Sequence, residues 1–178
     1  LYHAACEPHV EDLGHLLRAM GATIHGLGTN LITIEGTDRL RGAEHFVQPD
    51  YIEVGSFAAA AAVTGGDLEI EGFGDHRTAR ILQRGFAKLG MDWQLGPHQS
   101  RVRCGQTFTV QSEIGRTIPT LEDGIWPAFP SDLLSVAIVL ATQAHGSVLF
   151  FEKLFESRLY FVDRLIEMGA QIIQCEPH

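Results

Sequence analysis

The sequence predicts an α/β fold built from a repeated strand-helix-strand-helix-strand-strand unit, and three observations carry that expectation. Met20-Gly21-Ala22, Leu89-Gly90-Met91 and Met168-Gly169-Ala170 each close an amphipathic, helix-like stretch and open a strand-like one. The stretch from Pro49-Asp50 through the Ala-rich run Phe57 to Val63, Gly65-Gly66 and Leu68-Glu69-Ile70-Glu71 is matched by a second. That one runs from Pro130-Ser131-Asp132 through Leu133 to Thr142, His145-Gly146 and Val148 to Glu152. A strand pair follows the Gly stop, most clearly in Ala22 to His25 and Leu31 to Glu35 around Gly26-Leu27-Gly28-Thr29-Asn30.

Each element has a local reason. Pro8 suits the first position of a helix that runs to Met20, because its fixed φ is already helical. The Gly/Asn turn at 26–30 between alternating residues is a hairpin signature. Asp50 and the Pro130-Ser131-Asp132 segment stand where helix N-caps stand, and Gly closes each helix in the left-handed C′ position. The helix containing Phe57–Val63 is expected to be buried all round, as a helix between sheets is. Ala79 to Leu89 and Arg158 to Met168 carry apolar residues at three- and four-residue spacing and are expected to be helical. Counted in units, residues 1–48 hold the back of one repeat, 49–118 a whole one and 119–178 the front of another. The chain therefore reads as a piece of a longer protein, with sheet edges that favour pairing between copies.

Composition sets bounds on function. The 178 residues are 45% apolar, enough for a core, and carry a net charge of −9. An acidic chain is a poor partner for nucleic acid, which selects a basic face. No apolar run approaches the ~20 residues of a membrane span, and no signal peptide shows at the N-terminus, where a piece of a longer protein would have lost one. Cys6, Cys104 and Cys175 are a sparse, odd set that fits a reducing cytoplasm better than a disulfide framework.

Several residues are candidates for chemistry. Asp132 ends the stiff segment Trp126-Pro127-Ala128-Phe129-Pro130-Ser131-Asp132; its carboxylate suits a helix cap or a positioned general base, and on spacing alone the cap is the default. Asp50 carries the same ambiguity. Arg158 lies in the charged stretch Glu152-Lys153-Leu154-Phe155-Glu156-Ser157-Arg158 between a strand and a helix, where loops carry function, although a solvated Arg is the default. Cys6-Glu7-Pro8-His9 returns as Cys175-Glu176-Pro177-His178. Two Cys-x-x-His pairs suit zinc, but coincidence within a repeat is the simpler reading. Gly26-Leu27-Gly28 and Gly65-Gly66 lack the strand–loop–helix context of a phosphate loop and read as turns. Neither a cofactor nor a resident metal is expected.

These stretches resemble the enolpyruvyl transferases over essentially the whole chain. The resemblance rests on Glu7-Pro8-His9-Val10, Gly28-Thr29-Asn30, Pro49-Asp50-Tyr51-Ile52-Glu53-Val54-Gly55, Pro130-Ser131-Asp132 and Phe155-Glu156-Ser157-Arg158. It implies two lobes, each of three repeats around buried helices in an inside-out α/β barrel, with the substrate cleft between them. Residues 1–49 are then the end of the lobe that carries the reactive loop, and 50–178 part of the second lobe, with one whole repeat at 50–118 and the front of the next at 119–178. The motifs are nearest to the branch that acts on a UDP-sugar. They imply transfer of the enolpyruvyl group of phosphoenolpyruvate to the 3-hydroxyl of UDP-N-acetylglucosamine, the first committed step of peptidoglycan synthesis. The alternatives are a 5-enolpyruvylshikimate-3-phosphate synthase-like enzyme and a non-catalytic repeat module.

By the same resemblance Asp132 matches the family's substrate-binding aspartate and proposed base, which reverses the default given above. The Leu154 main chain contacts the UDP-sugar, Arg158 helps hold the anionic ligands, and Asp50 lines the cleft at the lobe crossover. Tyr51, Ser157 and His9 replace residues usual in the family. The reactive-cysteine loop and the Lys-Asn pair have no counterpart here, and none of the three cysteines takes that role. The chain alone is expected to be inactive.

Overall fold

The computed structural model describes residues 1–112 and 118–175. Its elements are mixed helix and strand, and they divide into two compact units, Leu1–Asp50 and Tyr51–His178. None of the helices among the described residues is long and apolar enough to cross a membrane.

In the first unit, helix α1 (Pro8–Ala19) precedes the antiparallel strands β1 (Thr23–His25) and β2 (Thr33–Glu35), which pair with Ile24 opposite Ile34. Pro8 occupies the first turn of α1. Gly14 is its one fully buried residue, and a Cβ added there would meet the Leu27 side chain at 2.2 Å. Glycine is therefore what lets the hairpin turn lie on the helix. Gly26 and Gly28 both take positive φ, which glycine adopts without steric cost in the turn between β1 and β2.

The second unit holds α2 (Tyr51–Val63), β3 (Leu68–Glu71), α3 (Arg77–Ala87), β4 (Trp93–Leu95), β5 (Gln99–Val102), β6 (Thr120–Glu122), α4 (Ser131–Ala141), β7 (Leu149–Phe151) and α5 (Val162–Glu167). Strands β3, β5 and β4 form an antiparallel sheet in that order, and β6 and β7 form a separate parallel pair joined through α4. The core gathers Ala58, Ala59 and Ala62 of α2, Leu82 and Phe86 of α3, Leu133, Leu134 and Leu140 of α4, and Trp93 and Val102. Close approach again needs glycine. A Cβ at Gly55 would come within 2.7 Å of Leu133, and one at Gly85 within 2.3 Å of the Phe129 ring.

Two expectations are corrected. Helix α2 is not buried all round: Phe57 is 58% exposed while Ala58, Ala59 and Ala62 are buried. Its neighbours α3, α4, β3 and β5 cover one side and leave a stripe open. The helix expected from Arg158 begins as a 3-10 turn over Arg158–Phe161 and becomes α-helical only at Val162.

The three Met/Leu-Gly segments share one construction. Ala22, Met91 and Ala170 donate from N–H to the carbonyls of Leu17, Phe86 and Leu165, and the preceding glycines donate to Arg18, Ala87 and Ile166. This double bond pattern satisfies the last helical carbonyls and requires positive φ at the glycine, observed at 105°, 88° and 99° for Gly21, Gly90 and Gly169.

Candidate active site

The segment between β6 and α4 is pinned by aromatic rings. Trp126 lies 5.5 Å from Tyr51, Phe129 meets Phe86 edge-on at 5.6 Å, and the Trp126-Pro127 peptide is cis. The chain then enters α4 with Pro130 as N-cap and no side-chain cap bond, so Ser131 and Asp132 are already helical. This overturns the cap reading of Asp132. Its carboxylate projects from the first turn, where it accepts a hydrogen bond from the Arg158 guanidinium. The Asp132 side chain is 63% exposed and that of Arg158 32%.

Arg158 is aimed by its own loop. Its guanidinium lies 5.1 Å from the centre of the Phe155 ring, a cation–π contact. Ser157 before it takes φ 63°, a left-handed conformation that turns the chain out of the strand-end loop and into the 3-10 turn. Leu154 is exposed on the same loop, and its N–H donates to Glu152 Oε1 at 3.2 Å.

Beneath this surface lie polar groups that motif reading did not single out. Asp123 and Glu152 are 1% and 3% exposed, and Ser131 is buried with them. Ser131 Oγ lies 3.0 Å from both oxygens of Glu152, and the Lys153 N–H donates to Asp123 Oδ1 at 2.5 Å. Burial pushes the Glu152 carboxyl above its ordinary value, and neighbouring Asp123 pushes it further, while hydrogen bonds from Ser131 and the Phe155 N–H pull it back. The signal that could have found the pair is positional: each acid directly follows a strand, and the two strands pair.

The structure thus joins Asp132 to Arg158 and sets Leu154 on the same loop. Asp50 is exposed and ends the first unit, directly before α2. Cys6-Glu7-Pro8-His9 leads into α1, whereas Glu176, Pro177 and His178 of its second copy lie outside the described residues. No group of three or more His, Cys, Asp or Glu side chains among the described residues is placed to hold a metal ion. Chemically, the corner offers a half-open carboxylate able to take a proton, a cation able to hold an anion, and exposed main chain beside both.

Comparison with known proteins gives a consistent picture. The family model described as EPSP synthase (3-phosphoshikimate 1-carboxyvinyltransferase) matches residues 1–176. The chain is 47% identical over 178 residues to the UDP-N-acetylglucosamine 1-carboxyvinyltransferase of Borrelia garinii subsp. bavariensis, covering 100% of the chain and 42% of that relative. It is 48% identical over 176 residues to the protein of that name from Treponema denticola, with coverage of 99% and 41%. The Bradyrhizobium diazoefficiens protein of that name is 48% identical over 178 residues, with coverage of 100% and 41%. The chain thus spans well under half the length of these curated relatives. Among solved structures, the enolpyruvyl transferase NikO from Streptomyces tendae matches with a TM-score of 0.77 at 22% identity, over 99% of this chain and 40% of that one. That likeness is one of fold.

Proposed function

The chain belongs to the EPSP synthase (3-phosphoshikimate 1-carboxyvinyltransferase) family, and from that premise we propose that it is part of an enzyme transferring the enolpyruvyl group of phosphoenolpyruvate to the 3-hydroxyl of UDP-N-acetylglucosamine. The relatives named for that activity, at 45–48% identity over the length of the chain, favour the UDP-sugar over shikimate 3-phosphate as acceptor. In this reading the repeats belong to an inside-out α/β barrel of two lobes, with the lobe boundary at 49/50. The enzyme works in the cytoplasm on the way to peptidoglycan.

The observation that carries the reading is the pairing of Asp132 with Arg158 on an open face. Asp132 is the base. It takes the proton of the sugar 3-hydroxyl as that oxygen attacks C2 of the enolpyruvyl group, and a general acid protonates C3; loss of a C3 proton to a base with departure of phosphate from C2 then regenerates the double bond. Arg158 holds anionic charge, and substrate competes with Asp132 for its guanidinium. The Leu154 N–H is engaged by Glu152, so its carbonyl is the main-chain group offered to the sugar nucleotide. Asp50 lines the cleft at the lobe crossover. The short sheets leave open edges, which support self-association of the isolated chain.

Saturation-transfer NMR of UDP-N-acetylglucosamine with the wild type and Asp132→Ala tests this. Transfer to the wild type that the substitution removes is the expected result. Equal transfer to both, with amide dispersion showing both folded, would remove Asp132 from the site.

A further inference from the structure

Asp123 and Glu152 are the two buried acidic residues among the described residues. The parallel register sets Glu122 opposite Phe151, so the next pair along is Asp123 and Glu152. Like charges directly opposite on paired strands repel, and a buried charge needs a partner. The neighbouring cations are committed elsewhere: Lys153 Nζ bonds Glu122 at 2.6 Å and Arg158 bonds Asp132.

Counting donors sharpens the problem. Three successive main-chain amides converge on the pair, Lys153 on Asp123 Oδ1 at 2.5 Å and Leu154 and Phe155 on Glu152 Oε1 at 3.2 Å each. Glu152 Oε2 receives only the hydroxyl of Ser131, which it shares with Oε1. Asp123 Oδ2 is buried without any donor. The two carboxyls are in side-chain contact, so one proton held between them supplies a donor that the orphaned oxygen lacks and removes one of the two charges.

We propose that Asp123 and Glu152 share a single proton, and that this acid pair is the positioning element for the loop carrying Leu154 and Arg158. The pair fixes the amides of residues 153–155, and through Ser131 it ties the loop to the first turn of α4, one residue from Asp132. It touches no substrate and acts through Asp132 and Arg158. The importance of that loop rests on the proposed function; the shared proton does not.

The raised carboxyl fixes the sign of a pH effect. Between the unfolded value near 4.5 and the higher native one, the native state binds more protons than the unfolded state. The pair's stabilisation is therefore complete below that window and declines as pH rises through it. The other charged groups on the packed elements are Glu122 on β6, Asp132 on α4, and Lys153, Glu156 and Arg158 on the loop.

The test is carboxyl carbon-13 NMR on the full chain, with hydrogen exchange at the loop amides. One of the two carboxyls is expected to remain protonated above the ordinary carboxylate range, and Asp123→Asn to lower the Glu152 titration without bringing it fully back, because burial remains. Glu152→Gln keeps a donor toward Asp123 and an acceptor for the amides, so exchange at residues 153–155 stays near wild type. In Glu152→Ala it accelerates about tenfold or more. Both carboxyls ionised, with Glu152 titrating in the ordinary range, would overturn the shared proton. Equal exchange in the Gln and Ala variants would overturn the positioning role. Neither readout uses a ligand, so failure to bind UDP-N-acetylglucosamine counts against the proposed function alone.

Discussion

Ser157 holds a left-handed backbone that residues with a side chain adopt at a cost of order 1 kcal/mol, and Asn tolerates that region better than Ser. Ser157→Asn is therefore expected to raise stability by about 0.5–1 kcal/mol in urea denaturation, while leaving Arg158 in place. Asp132 makes the complementary case. An ion pair this exposed contributes about 0–1 kcal/mol, so Asp132→Ala is expected to change the urea midpoint little even as it removes sugar-nucleotide binding. A large loss of stability would make Asp132 a structural residue. Asp132 and Arg158 were legible in sequence because their motif carries them. The acid pair was not, because Asp123 and Glu152 become neighbours only when β6 and β7 pair in register. The capping role expected of Asp132 failed for a local reason: Pro130 already holds the boundary, which moves Asp132 into the helix.

Among the elements, α3 depends on an unusual cap. His76 accepts a hydrogen bond from the Ala79 N–H at its Nδ1, 3.3 Å away, and packs edge-on to Phe73 at 4.6 Å. Only a neutral imidazole can accept there. Burial lowers the His76 pKa from 6.5, with Asp75 pulling it partly back. The unfolded state therefore binds more protons below that value, so the cap's contribution is present above about 6.5 and is lost as pH falls through the lowered native value. His76→Asn keeps a capping oxygen and is expected to abolish this acid sensitivity in denaturation curves compared between mild acid and neutral pH. An unchanged acid slope would remove His76 as its source. Helix ends and hairpins were readable because Gly marks them locally. The open stripe on α2 was not, because an Ala-rich run is apolar on every side and its pattern does not show which side is covered.

As a whole, the chain spans 41–42% of the length of its relatives, and Asp132, Leu154 and Arg158 lie together at one corner of its second unit. By itself it is expected to release no phosphate from phosphoenolpyruvate in the presence of UDP-N-acetylglucosamine; turnover by the 178-residue chain would show that this corner suffices. The family and the mixed α/β class were readable end to end because the motifs run the whole length in order. The division of the strands into separate small sheets was not, because pairing depends on residues far apart in sequence. The helix ending of the three Met/Leu-Gly segments also bears on how such a sequence can drift over generations. Among the described residues no atom lies within 4 Å of a Cβ added at Gly169, so there handedness alone opposes replacement. At Gly90 the Thr109 backbone stands 2.4 Å from that Cβ, which closes the path to every other residue. Three positions that look alike in the chain are thus held by their neighbours to different degrees.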